Sequence, residues 1–447
     1  METLASWIER ERAHAARMMR ASVSAVGIVK TRPFFGQSIR PLPGSVVASP
    51  VLAAYDPEPD YFFHWFRDAA LVVDALRLLG VEGAIARDEA IALLDAYVGF
   101  NLGLAVLDGR ALVRDRRWRA AVDADHERFV RDDAELAAVH GDAVGAESRV
   151  NPDGTIDISR WSRPQHDGAP LTELALLRWS EWLPPGTPTA AALATLLRAR
   201  LEATLAHRLS PSYDIWEEEY GSHYYIARVS AAALAAGADW LLHGAGGAPA
   251  AGDRDDAERW HAAARAQAAV LDGYWRAADG RIASRVLASG AASTKELDIA
   301  VILAAIHAGG AAGAHGVDDP RLHATLAQLD AHFDAAYPIN RGRAPGTGPA
   351  LGRYPGDVYY AGGAYFFSTL GAAEFCYRAA AAGDADSAAW LARGDGYLRT
   401  VRAYTPASGD LAEQFDQRDG RPASARHLAW SYAAFVSCAA ARRAVCG

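Results

Sequence analysis

The chain has few of the residues that mark disulfide-bonded, metal-binding or secreted proteins. Only three cysteines occur in 447 residues, Cys376, Cys438 and Cys446, and none of them has the CxxC spacing of a metal site. Their odd number predicts reduced thiols, with Cys376 and Cys438 as small core residues. Residues 1–20 lack the apolar centre of a signal peptide, so the sequence predicts a cytoplasmic protein.

Other absences argue against further classes of function. No basic stripe accompanies the formal net charge of −9, so nucleic acid is not an expected partner. The best candidate for a membrane span, 230–242, is interrupted by Asp239. Phosphate-binding glycine motifs, HExxH and GxSxG are all missing. The histidines lack metal-ligand spacing, and neither a metal nor a cofactor is predicted.

Helical periodicity dominates what is present, because apolar residues recur at three- and four-residue spacing and many segments are rich in Ala. Strand-like runs occur only near 44–50 and 110–114. About twelve helices are predicted, near 2–26, 59–80, 85–108, 170–183, 189–208, 221–242, 253–277, 294–309, 320–336, 357–382, 385–404 and 424–445.

The order of these helices predicts one all-α domain over 1–447, because no Pro- or Ser-rich linker separates them. We expect a toroid of six helix pairs. A solenoid is the alternative, but no repeat at a period of roughly 34 to 47 residues is found. Long loops usually carry function, and we expect four of them to gather over a pocket: 27–58, 109–169, 337–356 and 405–423.

The stretch 213–221 (YDIWEEEYG) places three consecutive carboxylates behind Trp216. Flat aromatic rings suit the faces of sugars, and a carboxyl group packed against them loses hydration. Desolvation raises a carboxyl pKa, which suits a general acid working near neutral pH. The alternative is a solvated acidic helix start, with Asp214 as its N-cap.

Three further stretches combine aromatic rings with Arg and Asp: 61–68 (YFFHWFRD), 159–168 (SRWSRPQHDG) and 352–360 (GRYPGDVYY). Rings pack against sugars, and charged planar groups hydrogen-bond neighbouring hydroxyls, so these stretches predict a sugar site. The alternatives are a core helix with a salt-bridged end for the first stretch and a solvated loop for the second. Near the second, Asp153 and Asp157 lie by a predicted turn, and a cation site there is a weaker alternative.

Together these stretches resemble the glucoamylase family of inverting α-glucosidases, glycoside hydrolase family 15. The resemblance implies an (α/α)6 barrel and an α-glucoside oligosaccharide as substrate, with no metal. The matching blocks occur in the same order as in that family, at 4–7, 46–50, 59–68, 161–168, 213–222, 352–359, 413–414, 424–426 and 430–432.

The resemblance also implies the catalytic roles. Glu217, directly after a Trp, matches the general acid that protonates the glycosidic oxygen, and Glu413 matches the general base that activates water. An inverting reaction needs the two carboxyl groups roughly 6.5–9.5 Å apart. It also needs surroundings that keep the acid protonated and the base ionised.

Further residues are expected to hold the sugar. Glu218 matches a residue that meets the second sugar unit, and Ser424 matches one that supports the base. The full set of expected substrate-binding residues is Tyr61, Trp65, Arg67, Asp68, Trp161, Arg163, Trp216, Glu218, Arg353, Ser424 and Trp430.

Two departures from the starch-cleaving fungal enzymes leave open which glucosidic linkage is preferred and how long the substrate is. Glu219 and Tyr220 replace an apolar residue and an Asn, and Tyr365 stands where a Trp often occurs. We expect both changes near the leaving sugar or the pocket rim, where Glu219 would add a hydrogen-bond acceptor.

The leading hypothesis is a hydrolase that releases β-D-glucose from the non-reducing ends of malto- or isomalto-oligosaccharides. The absence of a recognisable starch-binding module favours short substrates. Three alternatives remain: an α-1,6-specific hydrolase of isomaltose or dextran ends, a trehalase, and a catalytically inactive glycan-binding protein.

Overall fold

The computed structural model describes residues 2–55, 57–244, 252–310, 312–360, 362–383 and 386–446. All twelve predicted helices occur there, with shifted ends; position 385, where one was expected to begin, lies outside the described residues. In chain order the helices are α1 (Leu4–Ala21), α2 (Phe66–Val81), α3 (Arg87–Leu104), α4 (Gly109–Arg114), α5 (Asp133–Ala137), α6 (Gly168–Ser180), α7 (Pro188–His207), α8 (Tyr224–Asp239), α9 (Asp253–Leu271), α10 (Ala300–His307), α11 (Pro320–Ala336), α12 (Phe366–Ala381), α13 (Ser387–Tyr404) and α14 (Ala429–Cys446).

Short strands tie the loops together. They are β1 (Lys30–Arg32), β2 (Gln37–Ile39), β3 (His64–Trp65), β4 (Arg149–Val150), β5 (Ser212–Tyr213), β6 (Tyr220–His223), β7 (Trp275–Arg276), β8 (Arg281–Ile282), β9 (Arg285–Leu287), β10 (Ala364–Tyr365), β11 (Gln414–Phe415) and β12 (Pro422–Ala423). They pair antiparallel as β1–β2, β3–β4, β5–β6–β9, β7–β8 and β10–β11–β12. Because β3, β6 and β10 run directly into α2, α8 and α12, each sheet fixes the start of a helix.

Six helices form a closed inner ring in the order α2, α6, α8, α10, α12 and α14, and α14 packs back against α2. The outer helices α3, α7, α9, α11, α13 and α1 cover α2, α6, α8, α10, α12 and α14 respectively. These six pairs are an (α/α)6 barrel, which confirms the predicted architecture. A solenoid is excluded because the two ends of the helix array meet.

Side-chain size explains why the inner helices approach closely. Nearly all of α10 and α12 is buried, as expected for helices that are apolar on every face. Gly371 on α12 faces Leu303 on α10, and a Cβ at Gly371 would overlap that side chain. Outer helices such as α9 instead bury one stripe, including Ala257 and Trp260, and present charges to solvent.

Three local predictions are wrong. The run 110–114 is the helix α4 and not a strand, because the Asp108 carboxylate accepts the Arg110 N–H and caps its start. The run 44–50 forms only an isolated bridge, between Val46 and Val23. The helix expected from 59 begins at Phe66, because β3 precedes it in extended conformation.

The inner helices run in one direction, since an outer helix that returns along the barrel lies between each inner helix and the next along the chain. Their N-termini therefore gather at one end, where the partial positive charge of each helix favours carboxylates. Asp68 lies in the first turn of α2, Asp167 directly precedes α6, and Asp298 lies two positions before the start of α10, where its carboxylate accepts the Ala300 N–H at 2.8 Å. Among the described helices, none combines the length and apolar character needed to cross a bilayer.

Candidate active site

A cavity of about 580 Å³ opens at the end of the barrel where the inner helices begin. Small-molecule sites typically enclose about 300–1,000 Å³. On one side the rings of Trp430 and Phe367 stack with centroids 4.1 Å apart, and Trp216 lies parallel to both. The lining residues are Ala48, Tyr61, Trp65, Arg67, Asp68, Arg160, Trp161, Ser162, Tyr213, Ile215, Trp216, Glu217, Glu218, Arg353, Tyr359, Phe367, Glu413, Leu428 and Trp430.

Glu217 lies in a tight loop, 214–219, between β5 and β6. Its backbone N–H donates to the Asp214 carbonyl at 2.9 Å. The Asp214 carboxylate accepts the N–H groups of Glu218, at 2.8 Å, and Glu219, at 3.4 Å. Glu217 has φ of +67°, which is uncommon for a residue other than glycine. The alternative of a helix start at Asp214 is therefore wrong, because Asp214 caps a turn between two strands.

Two indole rings hold the Glu217 carboxyl group. Trp65 Nε1 donates to Oε1 at 2.7 Å, and Trp161 Nε1 donates to Oε2. Arg67 Nη2 lies 3.6 Å from Oε1. The Ser162 hydroxyl donates to the Glu217 carbonyl at 2.5 Å and fixes the backbone as well. The carboxyl group is thereby fixed at the cavity wall.

Glu413 faces the same cavity from the loop before β11. Its backbone bridges two elements, since its N–H donates to the Ala425 carbonyl at 2.8 Å and its carbonyl accepts from Phe366 at 3.2 Å. The Ser424 hydroxyl donates to its carboxylate, and Tyr61 Oη lies 3.4 Å from Oε1. Burial raises the pKa of Glu413 to about 7, and the Ser424 hydrogen bond offsets part of this effect.

Two neighbouring rings connect the carboxyl groups. The rings of Tyr61 and Trp65 lie 5.2 Å apart; Tyr61 contacts Glu413 while Trp65 contacts Glu217. Within the described ranges, no hydrogen bond or ion pair joins Glu217 directly to Glu413. The two carboxyl groups are therefore held by separate sets of partners and face one cavity.

Arg67 and Asp68 form a charged pair at the start of α2. Arg67 lies 3.3 Å from the carboxylates of both Asp68 and Asp167. Burial raises the pKa of Asp68 to about 6, against the opposing charge of Arg67. Asp68 Oδ2 is buried and forms the ion pair with Arg67, yet no described residue gives it a hydrogen bond. A ligand hydroxyl at the cavity wall would supply that hydrogen bond.

Three donors contact the carboxylate of Glu218, the residue that follows Glu217 in the loop. Arg353 Nη2 lies 2.9 Å from Oε1, Lys295 Nζ lies 2.6 Å from Oε2, and the Tyr354 hydroxyl donates to Oε2 as well. Arg353 also binds Asp357 through two hydrogen bonds of 2.7 Å. This bidentate pair fixes the guanidinium at the cavity wall.

A buried arginine, Arg285 on β9, supports the whole loop from behind. Its side chain is only 1% exposed and contacts Asp214, Asp298 and Glu219. Asp298 in turn accepts the Trp216 indole N–H at 2.9 Å, and burial raises its pKa to about 6. Neither Arg285 nor Asp298 was predicted from the sequence, because the pairing of β6 with β9 brings Arg285 to the loop and Asp298 reaches it from the segment before α10.

All the predicted site residues line the cavity except Ser424 and Arg163. Ser424 lies behind Glu413. Arg163 is buried outside the cavity, where it contacts Glu147 at 2.6 Å and Asp157 at 2.9 Å, so the structure gives no support to its predicted sugar contact. Asp157, one of the two residues of the weaker cation-site alternative, is paired with Arg149 and Arg163 instead. Among the described residues, no group of three or more His, Cys, Asp or Glu is placed to hold a metal.

None of the three residues that depart from the fungal pattern, Glu219, Tyr220 and Tyr365, lines the cavity, and Tyr220 is an exposed residue of β6. Glu219 accepts hydrogen bonds from Arg285 at 3.0 Å and from Ser293 at 2.7 Å. Tyr365 is fully buried and accepts from Gln414 Nε2 at 2.8 Å. Both contribute to the support of the site. Tyr359 does line the cavity. Its stretch, 352–360, was predicted from the sequence, but this residue was not among the expected substrate-binding residues.

Two separate carboxyl groups facing an aromatic cavity at the end of an (α/α)6 barrel define a site of the glycoside hydrolase type. The sequence agrees, because the profile of Glycosyl hydrolases family 15 matches residues 35–97 and 145–440. The chain belongs to this family, as its motifs predicted.

Individual relatives are distant but similar over most of the chain. Glucoamylase of Neurospora crassa is 28% identical over 447 aligned positions, which cover 90% of this chain and 63% of that protein. The intracellular sporulation-specific glucoamylase of Saccharomyces cerevisiae is 25% identical, over 88% of this chain and 77% of that protein. This chain therefore spans less than two thirds of the Neurospora protein.

A solved structure shows the same fold. The family 15 glucoamylase from Hypocrea jecorina superposes with a TM-score of 0.78 at 24% identity, covering 99% of this chain and 73% of that one.

Proposed function

We propose that this protein hydrolyses α-glucosidic bonds at the non-reducing ends of short gluco-oligosaccharides and releases β-D-glucose with inversion. One observation carries the proposal: Glu217 and Glu413, distant in sequence, face one sugar-sized cavity on separate supports. The glucoamylase names of its relatives support the choice of substrate.

The cavity suits the terminal unit of an oligosaccharide rather than a unit in its middle. Trp216, Phe367 and Trp430 are buried and close it toward the barrel interior. The terminal sugar would pack on Trp430, with its hydroxyls on Arg67 and on Asp68 Oδ2, which receives no hydrogen bond from the described residues. An exo-acting enzyme needs such a closed end.

Glu217 acts as the general acid in this proposal. It donates a proton to the glycosidic oxygen as the bond to the anomeric carbon breaks. The carboxylate that forms is then stabilised by the indole N–H groups of Trp65 and Trp161, which already point at its two oxygens. Such charge-assisted hydrogen bonds strengthen as the negative charge develops on Glu217. They therefore stabilise the transition state more than the ground state, which lowers the barrier.

Glu413 acts as the general base. Its carboxylate takes a proton from a water molecule whose oxygen bonds to the anomeric carbon on the face opposite the leaving group, which inverts the configuration. The raised pKa, about 7, makes Glu413 a stronger base, but one that is mostly ionised only above neutral pH. Hydrogen bonds from Ser424 and Tyr61 stabilise its ionised form.

We further propose that residues 1–447 form one catalytic domain and that the protein works in the cytoplasm. Helices from both ends of the chain, α1 and α14, belong to the same barrel. Cys376 and Cys438 are buried free thiols, which fits a reducing compartment. The name of the yeast relative points the same way.

Glucose release from equimolar maltose, isomaltose, trehalose and maltoheptaose tests the proposal, with NMR of the first anomer formed. We expect a malto-oligosaccharide or isomaltose to be cleaved, with the β-anomer first. An α-anomer would refute the inverting mechanism, and trehalose as the preferred substrate would make this a trehalase. A protein that binds the sugars but cleaves none would be a glycan-binding protein. Glu127→Gln, at an exposed position, is the control for Glu217→Gln and Glu413→Gln.

A further inference from the structure

Arg149 on β4 lies against the aromatic rings that hold Glu217. Its side chain is almost fully buried, and it does not line the cavity. The central carbon of its guanidinium lies 3.7 Å from the ring centre of Trp161, 4.7 Å from that of Trp65 and 4.0 Å from that of Phe63. Attraction between a cation and a ring face is significant within about 6 Å of the ring centre. One cation therefore contacts both of the indoles that donate to Glu217.

Strand pairing and hydrogen bonds fix this guanidinium in place. Trp65 on β3 lies opposite Arg149 on β4, and residues that are opposite in an antiparallel pair place their side chains on the same face. Arg149 Nε donates to Asp157 Oδ2 at 2.8 Å, and Nη2 donates to the Ser159 hydroxyl at 3.1 Å. The Ser159 hydroxyl donates in turn to Asp157 at 2.6 Å. The guanidinium is therefore oriented by strand register and by two hydrogen bonds.

Stability alone does not account for a charge at this position. Taking both members of an ion pair out of water costs free energy, and well-packed apolar side chains of similar size often stabilise a core equally well. Arg149 and Asp157 are both almost fully buried. An apolar side chain in place of Arg149 would suit the three rings and would leave Asp157 its second partner, Arg163, at 2.9 Å. The effect of the cation on the rings is therefore the better explanation.

The two oxygens of Glu217 receive positive charge by different routes. Arg67 Nη2 lies 3.6 Å from Oε1, which also accepts the Trp65 N–H. In the described part of the chain, Trp161 is the one hydrogen-bond donor to Oε2. Of the two indoles, Trp161 also lies closer to the Arg149 guanidinium. The influence of a positive charge thus reaches Oε2 through the ring of Trp161.

We propose that Arg149 is a positioning residue for the general acid and acts through Trp65 and Trp161. Its guanidinium holds both rings in place and draws electron density from their faces, which makes each indole N–H a stronger hydrogen-bond donor. Stronger donors stabilise the negative charge that develops on Glu217 as its proton leaves. This inference rests on the proposed function and adds to it a residue that does not line the cavity.

Indole N–H resonances of protein labelled with nitrogen-15 tryptophan test the inference without requiring turnover. The chain has 12 Trp, and Trp65→Phe and Trp161→Phe assign the two signals of interest. Arg149→Gln keeps a hydrogen-bond donor but removes the charge. We expect it to shift both signals upfield, and the Trp161 signal more, because the guanidinium lies closer to that ring. Arg32→Gln is the matched control, since Arg32 is also buried and stacks on Phe63 at 3.8 Å; it should leave both signals unchanged.

Kinetics on the sugar that the wild-type protein cleaves fastest give a second readout. Arg149→Gln should lower kcat about three- to twentyfold with little change in KM, because the hydrogen bonds strengthen only as charge develops on the general acid. Arg149→Lys keeps the charge but cannot lie flat against both rings, so it should recover part of kcat and part of the chemical shift. A purely structural role would lower the melting temperature of Arg149→Gln without moving the indole signals.

Unchanged indole signals or normal turnover in folded Arg149→Gln would overturn the inference and leave the proposed function intact. A rise in KM that accounts for the whole fall in kcat/KM would also overturn it. If Arg149→Gln does not fold, Arg149→Lys decides the outcome, because wild-type signals in that variant would equally contradict a role for the flat guanidinium. If the wild-type protein cleaves no sugar while the signals move as expected, the proposed reaction fails and the positioning of Glu217 by Arg149 stands.

Discussion

Replacing Glu413 with Gln should remove catalysis and yet stabilise the fold at neutral and alkaline pH. Burial raises the pKa of this carboxyl to about 7 from its ordinary value of 4.5. Ionising it in the native protein therefore costs more than ionising it in the unfolded chain, by about 3 kcal/mol. Gln keeps the acceptor for Ser424 and Tyr61 and carries no charge to bury.

Whether stability rises or falls with pH depends on which state, native or unfolded, binds the proton of Glu413 more tightly. Below about pH 4.5 the carboxyl is protonated in both states and contributes no difference. Between about pH 4.5 and 7 the unfolded chain ionises first, so wild-type stability falls as the pH rises. Above about pH 7 the loss is complete. The Gln variant lacks this loss.

The free energy of unfolding from denaturant titration between pH 4.5 and 8.5 measures the effect. We expect the stability of Glu413→Gln relative to wild type to rise by about 3 kcal/mol across the range and to level off above pH 7. Glu127→Gln, at an exposed site, should show no such trend. A pH-independent difference for Glu413→Gln would mean that the carboxyl is not desolvated as described.

Three further substitutions test the supports of the site. Ser424→Ala removes a hydrogen bond to the Glu413 carboxylate, so the acid-side inflection of the pH profile of kcat/KM should rise by about one pH unit; an unmoved inflection would assign it elsewhere. Trp65→Phe removes a donor from Glu217 and should lower kcat about 10- to 100-fold with little change in KM; an equal change in KM would indicate a substrate contact instead. Arg285→Met leaves three carboxylates without their shared cation and should lower kcat and the melting temperature together, with partial recovery in Arg285→Lys; normal kcat in Arg285→Met would show that the loop holds without it.

The parts of this protein that were predictable from sequence are those governed by local pattern. The six helix pairs follow from apolar periodicity, and the family motifs indicated Glu217, Glu413 and most of the cavity lining. These motifs are local because Arg67 and Trp430 lie in the first turn of an inner helix, and the other predicted lining residues lie in the first turn of an inner helix or in the segment that precedes one.

The predictions that were wrong concern side chains whose ion-pair partners are distant in sequence and approach them only in the folded protein. Arg163 lies in a motif rich in sugar-binding residue types, but Glu147 and Asp157 neutralise it away from the cavity. Glu219 looked like a rim residue, but pairing of β6 with β9 brings Arg285 to it. A motif specifies residue types, whereas the direction in which each side chain points depends on strand register and distant charges.

The closure of the inner ring has a consequence for how the chain is made. Helix α14 packs against both α2 and α12, and Glu413, the proposed base, lies in the segment before it, next to β11. During synthesis the Arg67–Asp68 pair therefore exists long before its partner base, and α2 has no neighbour on one side until α14 leaves the ribosome. Any N-terminal fragment that lacks α14 exposes apolar inner surface and lacks one completed wall of the cavity. Hydrolytic activity in a cell extract would thus report only chains whose first and last inner helices have met.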